Sequence, residues 1–222
     1  MGALRKVFYG LAGLAWLVLA TPVHADTASS ATLREGQKLF TENCAPCHQE
    51  DAIGAPGIAP SLTNQELLSI SSDKFLEATI RDGRLDTGMP PFAHLGRSKV
   101  RAIVAYLRAH AQRPSLAEEV DAEPDAYGDP RLGKLWYDNI CSTCHGLDGN
   151  GYFAGGTGTA IGLPGFLDKV SDGFIRETIR TGRSNTRMRG FLGPGALANL
   201  SEREIDDIIV YLRGLGERYP EE

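Results

Sequence analysis

Two five-residue stretches carry the chemistry of this chain, Cys44-Ala45-Pro46-Cys47-His48 and Cys141-Ser142-Thr143-Cys144-His145. Two thiols three positions apart, followed at once by an imidazole, suit covalent bonding to both vinyl groups of a haem while the histidine reaches the iron. A lone C-x-x-C also serves as half a zinc site or as a thioredoxin-like redox pair. Against both stand the adjoining histidine in each copy and the use of all four cysteines by the two motifs. Neither half offers a second C-x-x-C for an all-cysteine zinc cage, and neither motif sits in the βαβ pattern of a redox dithiol. Two covalently bound haem c groups are therefore expected, at Cys44 and Cys47 and at Cys141 and Cys144.

A haem iron held by one histidine has a sixth position that decides its use. Histidine plus methionine makes a closed, relatively high-potential electron-transfer centre, whereas a vacant position permits ligand chemistry. The chain has three methionines, one of them the initiator. Met89 and Met188 each follow a helical stretch and a Gly-Arg loop and precede a closing helix. Met89 stands in Thr-Gly-Met-Pro-Pro-Phe, where prolines stiffen the backbone around the sulfur. Its rivals are His94 and His110, the latter otherwise reading as a surface cation at a helix C-terminus. No histidine follows His145, so Met188 is the strong intrinsic candidate in the second half. Its setting, Arg-Met-Arg-Gly-Phe, lacks the proline brace, and an open or lysine-bound site is the alternative there. Plain core filling is the other use of a methionine at either place.

The elements that must position these groups occur twice. Leu33, Gly36, Leu39 and Phe40 fall at helical spacing and predict a helix from Thr32 to Asn43, after a disordered lead-in over 26–31. A Gly/Pro/Ala loop follows His48. Ser71-Ser72-Asp73 predicts a cap for a helix to Arg81, and Ser98 opens a closing helix to Ala111. In the second half Gly133 and Tyr137 echo Gly36 and Phe40. Phe174 to Arg183 echoes Phe75 to Arg84, and Ile208 to Arg213 echoes Ile103 to Arg108. A self-similar period near 100 residues means duplicated domains. The matched glycines predict that each closing helix crosses its opening helix closely, with Tyr106 or Tyr211 beside the opening aromatic. Ser201-Glu-Arg-Glu204 predicts a capping box. The acid-rich stretch Glu118 to Asp129 reads as a solvated linker. The expected division is 1–25 signal peptide, 32–113 first domain, 114–129 acidic linker and 130–216 second domain.

The N-terminal segment has Arg5 and Lys6, an apolar run from Val7 to Ala20, and Val23-His24-Ala25 with small residues at a cleavage site, which together read as an export signal. The run is short for a bilayer span, and no later stretch is long and apolar enough, so no transmembrane span is expected after signal cleavage. Cleavage after Ala25 leaves 21 basic against 28 acidic residues. That balance argues against nucleic acid and anionic lipid as partners. Haem attachment outside the cytoplasm and the absence of a spare cysteine point to a bacterial periplasm.

At these residues the chain resembles class I c-type cytochromes duplicated into a di-haem protein, similar in architecture to cytochrome c4. The resemblance covers almost all of residues 32–215. It implies an all-α fold of two tandem cytochrome c domains, with His48 and Met89 on one iron and His145 and Met188 on the other. It also implies that a proline carbonyl, at Pro60 and Pro164 here, accepts the second N–H of each ligand histidine. Among Arg81, Arg84, Arg180 and Arg183 some are expected to pair with haem propionates, a solvated basic face being the alternative. The implied function is transfer of single electrons between a protein donor and acceptor. The alternatives are a dedicated electron-transfer subunit of a periplasmic dehydrogenase or terminal reductase complex, and a di-haem enzyme of peroxidase type with the second haem reactive.

Overall fold

The structure is a computed structural model and describes residues 28–196 and 198–218; the signal segment expected at 1–25 lies outside them. The Ser29 hydroxyl accepts from the Thr32 amide at 3.2 Å, an N-cap that starts α1 (Ser30–Asn43) within the expected lead-in. Buried Leu39 and Phe40 finish its apolar face, and the chain passes into α2 (Ala45–His48), four residues of the first motif. A loop leads to α3 (Gln65–Ile70), capped by Asn64, and α4 (Asp73–Asp82), capped by Ser72. The closing helix α5 (Arg97–Arg108) ends before the expected Ala111, and α6 (Ala117–Asp121) lies in the acidic stretch.

The second repeat runs through α7 (Pro130–Trp136), a π-helical turn over Tyr137–Cys141, α8 (Ser142–His145) and α9 (Pro164–Leu167). It closes with α10 (Asp172–Thr181), capped by Ser171, and α11 (Glu202–Gly216), which carries the expected capping box at Ser201 and Glu204. Among the described residues the chain pairs only as isolated bridges and the fold is all-α. None of their helices is long and apolar enough to cross a membrane.

The close helix crossing expected from the glycines is present in both halves. A Cβ on Gly36 would lie 2.0 Å from the Ala102 carbonyl oxygen, and one on Gly133 would lie 1.9 Å from that of Asp207. With no side chain there, α5 lies on α1 and α11 on α7 backbone to backbone. Phe40 and Tyr106 meet at 5.4 Å between ring centroids, and Tyr137 and Tyr211 at 5.3 Å.

A second matched device was not legible in the sequence. Arg108 donates to the Leu68 carbonyl at 2.5 Å, to that of Ser71, and to the Asp73 carboxylate at 2.7 Å. Arg213 donates likewise to Leu167 at 2.5 Å, Val170 at 2.8 Å and Asp172 at 2.7 Å. Each arginine of a closing helix thus satisfies carbonyls left open between two short helices.

The acidic stretch is anchored at several points, although Glu118, Glu119, Asp121 and Asp125 face solvent. Ala117 and Val120 are buried, and the Glu123 carboxylate accepts from Arg176 at 2.9 Å and Arg180 at 2.7 Å. The Asp129 amide donates to Asp207 at 2.7 Å. The Arg176 side chain is only 5% exposed, so its charge needs the carboxylates of Glu123 and Asp206 beside it. That requirement docks the connector on the second domain.

The two domains meet over a mixed surface. Ile70, Leu67 and Phe75 of the first domain join the apolar core of the second, with Phe75 and Phe174 at 5.1 Å. Around them Asn64 donates to the Ser184 carbonyl at 3.0 Å, and the Ser184 amide and hydroxyl donate to Glu66 at 3.0 and 2.8 Å. Arg113 pairs with the other oxygen of Glu66 at 2.9 Å.

Candidate functional site

His48 is the last residue of α2 and His145 the last of α8, and both are nearly buried, at 8% and 9% exposure. His48 Nδ1 lies 2.9 Å from the Pro60 carbonyl oxygen and His145 Nδ1 lies 2.7 Å from that of Thr159. A carbonyl only accepts, so Nδ1 carries the proton in both rings and Nε2 keeps its lone pair for a metal. Burial pulls both imidazoles below the ordinary histidine range, against the opposing pull of these backbone bonds.

Pro60 therefore stands where the resemblance placed it. Pro164 does not, because it opens α9, and Thr159 five residues earlier takes the role. The physical reason is the Gly-rich insertion. The Gly158 amide donates to Cys144 at 2.8 Å, and a Cβ on Gly158 would come within 2.8 Å of the His145 ring. Only glycine lets this segment fold back onto the motif, and doing so delivers the next carbonyl to Nδ1. The spacing Gly155, Gly156, Gly158 was the available signal.

The four cysteines are unpaired, Cys47 exposed and the others half-buried. Burial, with a smaller contribution from the neighbouring thiol, pushes Cys44 up to about 11 and Cys141 up to about 12. Among the described residues no three His, Cys, Asp or Glu side chains gather to hold a metal ion.

The two methionine loops are built by the same bonds. The Arg84 amide donates to the Met89 carbonyl at 3.0 Å, the Met89 amide to Thr87 Oγ1 at 3.2 Å, and that hydroxyl to the Arg84 carbonyl at 2.6 Å. In the second domain Arg183, Thr186 and Met188 repeat the set at 2.7, 3.0 and 2.8 Å. Gly83 and Gly182 open the loops at φ of 66° and 70°, where a Cβ would strike the carbonyl oxygen of the methionine. The missing prolines after Met188 thus leave these three bonds in place. Met89 and Cys44 pack on one apolar cluster and Met188 and Cys141 on the other. His94 is exposed. His110 is half-buried, its ring edge-on to Tyr106 at 4.9 Å.

The four arginines separate into two pairs. Arg81 is taken by Asp82 and Arg180 by Glu123 and Glu202. Among the described residues Arg84 and Arg183 form no ion pair with a carboxylate, although both guanidiniums are held in low-dielectric surroundings that pull them down to about 10. The haem propionates expected here would suit this second pair alone.

Neutral histidines with a free Nε2, protonated thiols beside them and thioethers on the same apolar clusters form a donor set that fits haem c. Together with two all-α shells of one plan, they define a c-type cytochrome of two domains. Comparison with known families gives each half its place. Residues 31–107 match the family "Cytochrome C oxidase, cbb3-type, subunit III", and residues 131–216 match the family "Cytochrome c". The chain is therefore made of two tandem cytochrome c domains, which imply two covalently bound haem c groups. It is 27% identical over 205 residues to the cbb3-type cytochrome c oxidase subunit CcoP of Rubrivivax gelatinosus, covering 90% of this chain and 60% of the relative. It is 31% identical over 150 residues to the cytochrome bc1 complex cytochrome c subunit of Mycobacterium leprae, covering 63% of this chain and 50% of that one. A chain of the Kuenenia stuttgartiensis reducing HAO-like protein complex shares the fold at a TM-score of 0.50 and 20% identity, with 82% of this chain and 96% of that chain covered. The chain thus spans about three fifths of the Rubrivivax relative's length.

Proposed function

We propose that the chain carries single electrons between a protein donor and a protein acceptor in the periplasm. Cys44 and Cys47 would hold one haem, with His48 and Met89 as donors to its iron, and Cys141 and Cys144 would hold the other, with His145 and Met188 as donors. Haem c, when bound, supplies the one-electron chemistry. The chain's own part is to hold the imidazoles in one tautomer, keep the thioethers in place and exclude water from the apolar clusters beside them. The observation that carries this reading is the duplicate construction of the ligand loops: carbonyl to Nδ1, and threonine-braced methionine, in both domains. A histidine and a methionine donor at each iron would suit a carrier better than a peroxidase, which keeps one position open.

Spectra of Met89→Ala and Met188→Ala test it. Each variant is expected to lose about half of the sulfur-to-iron charge-transfer band and the double variant all of it, with both haems still attached by mass spectrometry. A band unchanged by either substitution removes that methionine from the iron.

A second reading has its own support. Both relatives described above are named as subunits of respiratory complexes, which favours a dedicated electron-transfer subunit over a free carrier. Purification from the native source separates the two: a free carrier runs as a protein of this size, a subunit with fixed companions.

A further inference from the structure

Arg84 belongs to the first domain by sequence and to the second by its side chain. Its backbone closes the Met89 loop, yet its guanidinium crosses the domain boundary and lies 4.9 Å over the Phe166 ring. There Nη2 donates to the Ala160 carbonyl at 2.5 Å. Ala160 directly follows Thr159, whose carbonyl holds His145 Nδ1. The Arg84 Nε is shut off from solvent with no hydrogen-bond partner. Its equivalent, Arg183, stays within its own domain, donating to Thr178 and Gly182.

We propose that Arg84 is a positioning and charge-setting residue for the haem of the other domain: it fixes the segment that orients His145, and it places beside that site a positive charge that no carboxylate of the described residues pairs. A cation in low dielectric favours the state of the iron with one positive charge fewer, so it raises the second haem's potential. The asymmetry with Arg183 makes the effect one-directional, from the first domain to the second haem. Docking of the two domains thereby sets the driving force between the two haems. This rests on the assignment of His145 and Met188 as donors to the second iron.

The test is a spectroelectrochemical titration of the holoprotein with Arg84→Gln and Arg84→Lys, the two waves being assigned with Met89→Ala and Met188→Ala. Gln retains a donor for Ala160 without the charge, and Lys retains the charge. Arg84→Gln is expected to shift the redox equilibrium of the second haem about tenfold toward the oxidised form, about 59 mV for one electron, with a smaller shift at the first. Arg84→Lys is expected to retain most of the original potential. The proposal is overturned if the second wave stays in place, if both waves move equally, or if Lys shifts it as much as Gln. Should Arg84→Gln not load both haems, Arg84→Leu packs on Phe166 without a polar group to satisfy and reads the same outcome. A second haem that lacks the methionine band in the unaltered protein would instead defeat the ligand assignment, a different result from an unmoved wave.

Discussion

A single hydrogen atom in place of a methyl decides how near two helices come. In a helix interior, glycine to alanine normally stabilises by about 1 kcal/mol through backbone entropy. At Gly36 and Gly133 the sign reverses, because the added Cβ would meet a carbonyl oxygen at 2.0 and 1.9 Å. Gly36→Ala and Gly133→Ala are each expected to destabilise their domain by about 1–3 kcal/mol or more, as overpacking does, measured by denaturant unfolding of the holoprotein. Alanine at either position raising the midpoint would show that the crossing has room. Thr159 teaches the opposite lesson at the same scale. Only its backbone carbonyl matters, so any residue that keeps the loop serves, and nothing in the side chain announces the role.

Helices here are short, and short helices depend on their ends. Ser72 and Ser171 cap α4 and α10 through equivalent bonds to the amides of Phe75 and Phe174 at 3.2 and 3.1 Å. Replacing either by alanine is expected to cost about 1 kcal/mol, read as a lower unfolding midpoint without change in either haem spectrum. Arg108 and Arg213 act on the other ends, where they gather the carbonyls around α3 and α9. The cap at Ser72 and the box at Ser201 were legible because a serine just before an apolar run has a local meaning, whereas Ser98, expected to open the closing helix, lies inside α5 behind Gly96. The arginine clamps were not legible, since their partners lie some forty positions away in the chain.

At the scale of the molecule, the domains are held by one carboxylate as well as by Phe75 and Phe174. Burial would raise Glu66, but the Ser184 hydroxyl and amide and the Arg113 guanidinium outweigh it and hold the carboxyl below its ordinary value of 4.5. A depressed carboxylate contributes stability that is fully present above its unfolded value and is lost as pH falls through its folded one. Docking of the domains is therefore expected to weaken in acid below about pH 4, seen as expansion in small-angle scattering. Glu66→Gln should be looser at neutral pH and lack that acid step; an identical acid profile in the variant would place the titrating group elsewhere. The same docking carries Arg84 to the second haem site, so the two effects are expected to move together.

The chain's order of amino acids settled what recurs at fixed spacing: two C-x-x-C-H motifs, two methionines, paired glycines and tyrosines, and helices with serine caps. Those are local patterns, and duplication made them visible twice. Tertiary structure alone decided what depends on distant segments meeting. It put Thr159 rather than Pro164 on His145, docked the acidic connector on Arg176, and carried Arg84 across the boundary while Arg183 stayed home. Each of these is a polar group finding a partner that burial obliges it to have, and which partner lies within reach is a property of the packed chain.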